Sequence, residues 1–408
     1  MKKTLSILLA LTLALGLLSG CAAGSAAKTE PAASPAESTP EPAADPSAEA
    51  EPTAEPFDAE AAYAAFSEGV QRARAAIDPD TVIATVDGQA LTWEMFYYFV
   101  VGDLQEVFYY TGKLPENFNE MLSEETTWQK NFTESALAQA TYYLEAAAKA
   151  DELGVELTDE QRAALDAAWD KVVADYGDES LLQADLDDAC LDKELFLRLL
   201  ESNEKLSAID RELYGEGGEK LTDEAVLAWA AENGYVRTKH VLWSFLDESG
   251  AALDDEGKAA LKARLEEVLA GLRELEGDPE ALEKRFDELM AAESADPGGL
   301  ANFPAGYTYT AGTMVAAFEE AAFALKDHEL SGLVETSYGY HILLGLPLNV
   351  DGLTMDQDAN TGEYMTLRQS AANDMFTSRL VEWIDTAEIV WSEGFEELDL
   401  NTVFHGES

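Results

Sequence analysis

The sequence predicts an α+β protein in which a mostly helical domain is interrupted by a smaller α/β domain. Three observations lead to this prediction. Hydrophobic residues recur at helical spacing through most of 58–235 and return at about 365–386. Between these segments, residues 236–346 mix short β-branched strands with amphipathic helices. In addition, 47% of the 408 residues are hydrophobic, so the chain can build a core although its formal net charge is −54.

The N terminus has the features of an export signal over residues 1–20. Lys2 and Lys3 precede an apolar run from Leu5 to Leu18, which is shorter than the roughly 20 residues that a membrane-spanning helix needs. The following motif LSGC, which ends at Cys21, resembles the bacterial lipobox, whose cysteine is lipidated and becomes the mature N terminus. We therefore expect lipidation at Cys21. The alternative is an ordinary signal peptide with an incidental cysteine.

Residues 21–57 are predicted to be a disordered tether that begins at the lipidated cysteine. Seven of the 13 prolines of the chain fall in this segment, which is otherwise mostly Ala, Glu, Ser and Thr. No hydrophobic period is visible, so the segment has no face to bury.

The segment 58–235 is predicted to be helical apart from one hairpin. A β-branched run at 82–86, a turn at Asp87-Gly88 and a short return strand form the hairpin, and Thr92 is placed to cap the next helix. Thr158 and Gln161 have the spacing of a capping box. The remaining helices are predicted at 59–76, 126–153, 158–176, 192–214 and 222–233.

The α/β segment 236–346 and the C-terminal segment 347–408 follow. Strands are predicted at 236–245, 334–337 and 340–346, with helices at 256–275, 278–290 and 314–325. Residues 347–363 are expected to be an acidic surface loop that leads to a helix at 365–386 and a strand at 388–391. Asp356, Asp358 and Asn360 begin like a calcium loop, but the glycine comes one place late and Leu367 holds the twelfth position, so no metal site is predicted.

Composition excludes several classes of function. The chain has 80 acidic against 26 basic residues, which excludes nucleic acid as a partner because phosphate binding needs clustered Lys and Arg. Two cysteines exclude a disulfide scaffold. Contact with a membrane is expected through the lipid anchor only. The acidic surface leads to the hypothesis that cationic clients are attracted by charge.

Four motifs within 236–346 carry chemistry. They are VRTKHVLW with His240, SADPGGLANFPAG with Asp296, GTMVAAFEEAAFALKDHELSG with Met314 and Phe318, and VETSYGYHILLG with His341. Together, and in this order, they resemble the parvulin (PpiC-type) family of peptidyl-prolyl cis-trans isomerases. The resemblance implies an isomerase fold and activity for this segment, without a cofactor. The loop between Asp296 and the following leucine is shorter than in most of the family.

The resemblance also implies which residues form the site. His240 and His341 match the paired histidines of the family, Asp296 matches its acidic or cysteine position, and Thr336 matches the hydroxyl that joins the network. The apolar pocket for the proline ring is implied to consist of Leu300, Phe303, Met314 and Phe318.

The chemistry of X–Pro rotation suits residues of these types. The bond has partial double-bond character, with a rotation barrier of about 18–20 kcal/mol, and turning it breaks no covalent bond. No nucleophile or metal is therefore needed. The apolar residues are expected to hold the proline ring while the polar network favours the twisted amide.

The motif ATVDGQALTWEMF, at 84–96, resembles the opening of the chaperone domain of the SurA/PrsA/trigger-factor type. The resemblance implies that 58–235 and 347–408 fold together around an inserted parvulin domain at 236–346. With the lipobox it implies an extracytoplasmic foldase that is lipid-anchored to the outer face of the bacterial cell membrane and binds unfolded, newly secreted polypeptides at X–Pro bonds. Two alternatives stay open: a non-catalytic holdase with an inactive parvulin module, and a solute-binding lipoprotein.

Overall fold

A computed structural model describes residues 58–177, 179–247 and 249–406. The predicted signal peptide, Cys21 and the tether lie outside the described residues. The helices, in chain order, are α1 (Ala59–Ala76), α2 (Trp93–Thr111), α3 (Trp128–Leu153), α4 (Asp159–Tyr176), α5 (Glu179–Ala189), α6 (Lys193–Tyr214), α7 (Asp223–Glu232), α8 (Asp255–Arg273), α9 (Pro279–Glu293), α10 (Pro297–Asn302), α11 (Ala316–Phe323), α12 (Leu367–Thr386) and α13 (Leu400–His405). The strands are β1 (Val82–Val86), β2 (Gln89–Thr92), β3 (Val236–Ser244), β4 (Tyr307–Tyr309), β5 (Val334–Glu335), β6 (Gly339–Leu346), β7 (Leu353–Gln357), β8 (Tyr364–Thr366) and β9 (Ile389–Trp391).

Contacts divide the chain into two compact units. The first ends at Ile209 and resumes at Arg379, and the second runs without interruption over Asp210–Ser378. The boundaries fall inside α6 and α12. The expected boundaries, at 235/236 and 346/347, both lie inside the second unit.

The first unit is helical around a small sheet with the strand order β2-β1-β9. The β1–β2 hairpin turns at Asp87 and Gly88, both of which have positive φ. The N-cap side chains of Thr92 and Thr158 accept backbone hydrogen bonds at the start of α2 and α4, and Thr158 forms the expected capping box with Gln161. These caps define where the helices begin because they satisfy amides that have no partner within the helix.

The second unit is built on a four-stranded antiparallel sheet with the order β4-β3-β6-β5. All eight residues of β6 are buried, as expected for a central strand covered on both faces. One core cluster joins this sheet to α8 and α9, and a second joins it to α11. The α+β fold class is thus confirmed.

The structure corrects the expectation for residues 347–363. They are not simply an acidic loop, because β7 pairs antiparallel with β8 and forms a two-stranded sheet. The turn between these strands is held by Asp358, whose carboxylate accepts hydrogen bonds from the amides of Asn360 and Thr361. Five further elements were not predicted: α5, α10, α13, β4 and the strand β8, whose residues were placed before and at the start of the last long helix.

Within the ranges that the structure describes, no helix is both long enough and apolar enough to cross a membrane.

Candidate functional site

The predicted histidine pair meets across the two central strands of the second unit. In the β3–β6 register, His240 lies opposite Leu343 and Leu242 lies opposite His341. The two histidines are therefore diagonal neighbours on one face of the sheet. Their Nδ1 atoms are 3.1 Å apart, and both side chains are buried.

The outer nitrogen of each ring has a partner, so the pair belongs to a longer network. His240 Nε2 lies 2.9 Å from Asp296 Oδ2, and His341 Nε2 lies 2.8 Å from Thr336 Oγ1. Four of the predicted site residues thus form one continuous line of hydrogen bonds. Asp296 is also the N-cap of α10, so the local fold of the glycine-rich loop sets its position.

Two further donors fix the carboxylate of Asp296. The Gly299 amide donates to Oδ1 at 3.0 Å and the Tyr307 hydroxyl donates to Oδ2 at 2.7 Å. A side chain at position 299 would begin only 2.6 Å from the Tyr307 hydroxyl oxygen, so this bonding arrangement requires glycine. Hydrogen bonds from His240, Gly299 and Tyr307 hold the pKa of Asp296 well below its usual range, and the group is a carboxylate.

The ionised state of Asp296 sets the direction of the neighbouring bond. A carboxylate can only accept, so His240 Nε2 donates to it. Burial, reinforced by the adjacent His240 ring, lowers the pKa of His341 to about 4, so this ring is neutral at physiological pH. When both rings are neutral, His341 Nδ1 donates to His240 Nδ1, and His341 Nε2 accepts the hydroxyl proton of Thr336.

Three of the four predicted apolar residues belong to or pack against two core clusters, and the fourth, Phe303, lies outside both. Phe318 is buried and meets both histidine rings edge to face, with centroid distances of 5.2 Å to His240 and 5.5 Å to His341. Met314 is half-buried and packs in the same cluster as Phe318. Leu300 instead packs against the cluster formed with α8 and α9.

Phe303 is buried on the Asp296 side of the site. Its ring contacts those of Tyr307 and Tyr364, with centroid distances of 4.9 and 4.8 Å. A cavity of about 10 Å³, lined by Leu300 and Phe303 among others, lies beside Asp296. It has room for one water molecule at most and is too small for a proline ring.

Tyr307 is bonded to the network through Asp296, and the sequence did not single it out. Burial and its hydrogen bond to Asp296 raise the pKa of Tyr307, so its hydroxyl stays protonated and able to donate. The signal that could have identified it is the alternation Tyr-Thr-Tyr at 307–309, which predicts a strand directly after the Asp296 loop.

The arrangement can orient a bound group and polarise it, but it contains neither a thiol nor a lysine that could act as a nucleophile. In the part of the chain that is described, no group of three or more His, Cys, Asp or Glu residues could hold a metal ion. The site therefore consists of a fixed line of hydrogen-bonded polar side chains next to the ring of Phe318.

Comparison with known proteins identifies the domain. Residues 240–345 match the Rotamase family, described as the PPIC-type PPIASE domain. The chain is 36% identical over 131 residues to the foldase protein PrsA of Halalkalibacterium halodurans, a match that covers 31% of this chain and 32% of the relative. It is 45% identical over 58 residues to PrsA of Geobacillus kaustophilus, covering 14% of this chain and 21% of the relative. The chain thus spans a third or less of these relatives.

Among solved structures, PrsA from Bacillus cereus aligns with 71% of this chain and 98% of its own, at 15% identity and a TM-score of 0.29. The assignment of the domain therefore rests on the family match. The predicted resemblance of this segment to the parvulin family is confirmed: the chain contains a PPIC-type rotamase domain.

Proposed function

We propose that this chain is an extracytoplasmic peptidyl-prolyl cis-trans isomerase that binds unfolded polypeptides at X–Pro bonds. The observation that carries the proposal is the hydrogen-bonded line Thr336–His341–His240–Asp296, in which both histidines are buried and contact the ring of Phe318. The PPIC-type match over 240–345 and the similarity to foldases support it.

The proposed catalysis is a preference for the twisted amide. The proline ring packs against Met314, a half-buried residue of the cluster that contains Phe318. The substrate carbonyl then lies near the hydrogen-bonded histidine network. Twisting removes amide resonance and changes the charge on the carbonyl oxygen and the imide nitrogen. Fixed dipoles favour that charge distribution without rearranging, and each 1.36 kcal/mol of preferential binding gives about a tenfold rate increase.

In this proposal His240, His341, Thr336 and Asp296 orient one another and exchange no proton with substrate. Every nitrogen of the two rings already has a partner, so a proton transfer would require a bond of the network to break. Asp296 is held as an anion by three donors, which makes it a poor base.

The location is part of the proposal. The lipobox-like LSGC motif and the proline-rich segment that follows support anchoring through Cys21 to the outer face of the cell membrane. Labelling with a radioactive fatty acid tests this directly. We expect label on the wild-type chain and none on Cys21→Ser; equal labelling of both would refute anchoring at this residue.

Refolding of a polypeptide that is limited by proline isomerisation tests the function. The full chain is expected to accelerate the slow refolding phase at catalytic concentration. Met314→Ala removes apolar contact with the proline ring and is expected to reduce the acceleration about tenfold, whereas Met314→Leu conserves volume and retains most of it.

The same assay separates the proposal from a non-catalytic holdase. A holdase would suppress aggregation of the substrate without accelerating the slow phase. That outcome, or equal acceleration by Met314→Ala and the wild type, would contradict the proposed mechanism.

A further inference from the structure

The second unit contains an open cavity that the histidine network does not use. Its volume is about 470 Å³, within the range of sites that bind small molecules or single side chains. Residues on its wall include Trp229, Tyr235, Thr310, Asp356, Met365 and Asp374.

Two aromatic side chains and two carboxylates on this wall are joined by hydrogen bonds and a ring contact. The rings of Trp229 and Tyr235 lie 5.0 Å apart. Trp229 Nε1 donates to Asp374 Oδ2 at 2.7 Å, and the Tyr235 hydroxyl donates to Asp356 Oδ2 at 2.5 Å. These bonds fix each carboxylate beside an aromatic ring. A carboxylate has about four lone-pair sites, so both can accept further donors.

The group is negative and has no cation among the residues that line the cavity. The neighbouring base in sequence, Arg368, is engaged elsewhere through Asp223, Asp351 and the carbonyl of Leu221. Carboxylates attract a cation, and the faces of tryptophan and tyrosine attract it as well. An ammonium or guanidinium group therefore matches this wall.

The cavity adjoins the histidine site through two strands. Tyr307, at the start of β4, bonds Asp296, and Thr310, just after the end of β4, lies on the cavity wall. In β8, Tyr364 contacts Phe303, and the next residue, Met365, lies on the cavity wall. Three residues of strand span about 10 Å. An extended peptide covers the same distance in three residues.

We propose that this cavity is a subsite for a Lys or Arg side chain that lies about three residues from the proline of a bound polypeptide. The inference rests on the proposed function, because it takes the proline to lie at the histidine site. The sequence led only to a general attraction between an acidic surface and cationic clients. The subsite would instead favour Lys or Arg at one position of the bound polypeptide.

Fluorescence polarisation with the full chain at low salt tests the subsite. The probes are fluorescein-labelled peptides with one proline and either Lys or norleucine, placed three residues before or three after the proline. In at least one of the two placements, we expect the Lys peptide to bind about three- to tenfold more tightly than its norleucine counterpart. The preference is expected to disappear in Asp356→Asn/Asp374→Asn.

A charge-matched control is available on α8. Glu266 and Glu267 are exposed and do not line the cavity. The variant Glu266→Gln/Glu267→Gln therefore removes the same number of negative charges at a different place. This variant is expected to keep the Lys preference. Equal binding of Lys and norleucine peptides by the wild type, or loss of the preference in the control, would overturn the subsite.

Two further measurements keep the result interpretable. The single variant Asp374→Asn alters an exposed side chain and is expected to weaken the preference in part, which guards against misfolding of the double variant. Isomerisation of the norleucine peptide tests the proposed function separately, since it does not involve the subsite. Binding of methylammonium that competes equally with both peptides would show a free-amine site and would also overturn the proposal.

Discussion

At the scale of residues, the site is one line of hydrogen bonds with a definite direction. The Tyr338 amide donates to Thr336 Oγ1, and the hydroxyl proton points at His341 Nε2 at 2.8 Å because the other acceptor in reach, the Gly339 carbonyl oxygen, is 3.5 Å away. The line ends at Asp296, which receives two additional donors. A network anchored in this way holds its rings rigidly, because each end group is itself fixed by backbone amides.

The first prediction concerns Tyr307. Tyr307→Phe removes the hydroxyl that donates to Asp296 at 2.7 Å, a bond to a charged acceptor. We expect the free energy of unfolding to fall by about 1–2 kcal/mol in urea titrations. Tyr338→Phe is the control, since Tyr338 is 61% exposed, and it is expected to change stability by less than about 0.5 kcal/mol. Equal effects of the two substitutions would contradict the role given to Tyr307.

The second prediction concerns pH. Burial lowers the pKa of His341 to about 4, whereas an unfolded histidine titrates near pH 6.5. Between these values the unfolded chain binds a proton that the folded chain does not. His341 therefore destabilises the fold progressively as pH falls from about 6.5 to about 4, and has no effect above that window.

Proton NMR of the four histidines, assigned with His341→Asn, measures this directly. We expect the His341 resonance to titrate with a midpoint near 4. A midpoint near 6.5 would show that the ring is not shielded as the structure indicates.

Most residues of the network could be predicted because motif and topology agree. His240 and His341 were predicted to lie in the strands 236–245 and 340–346, the resemblance to the parvulin family implied that they pair, and the structure brings their rings together. The roles assigned to these residues stay predictions. Tyr307 was missed because an aromatic residue in a short strand has the same pattern whether it packs in a core or donates a hydrogen bond.

At the scale of elements, the long helical patterns and the hairpin were predictable, whereas several other short elements were not. The helix α3 and the strand β3 differ by at most two residues at either end from their predicted ranges. In contrast, β7 contains Asp356, and the turn after it contains Asp358 and Asn360, residues disfavoured in strands, so tertiary pairing with β8 overrides local preference. Six-residue helices such as α10 and α13 are too short to show a period.

The third prediction concerns α13, which packs on the first unit. Phe404 is fully buried, and its ring lies 5.4 Å from that of Phe118 and 5.9 Å from that of Tyr97. Phe404→Ala is expected to lower the free energy of unfolding of this unit by about 3–5 kcal/mol, through lost burial and a cavity. Denaturant unfolding followed by near-UV circular dichroism measures this.

The control for this prediction is Val381→Ala. Val381 is 51% exposed, on α12, and its truncation is expected to cost less than about 0.5 kcal/mol. If Phe404→Ala were as mild as the control, the C-terminal residues would not be part of the core.

At the scale of the whole molecule, the chain separates a contiguous unit from one built of two segments. The second unit carries both the histidine site and the acidic cavity. The return of helical periodicity near residue 365 led to the prediction that the C-terminal segment folds with the N-terminal helices, and this stays a prediction. The exact division could not be predicted, since the unit boundaries fall inside α6 and α12, where the sequence pattern is continuous.

The measurement that tests the central claim most directly is exchange NMR of a proline-containing tetrapeptide with catalytic amounts of the full chain. Wild-type protein is expected to produce cis–trans exchange far faster than the spontaneous process, which takes about tens to hundreds of seconds. Met314→Ala and His240→Ala are expected to reduce the rate about tenfold or more, while Met314→Leu stays near the wild type. Exchange at the spontaneous rate with the wild type, or an unchanged rate in both alanine variants, would contradict the account.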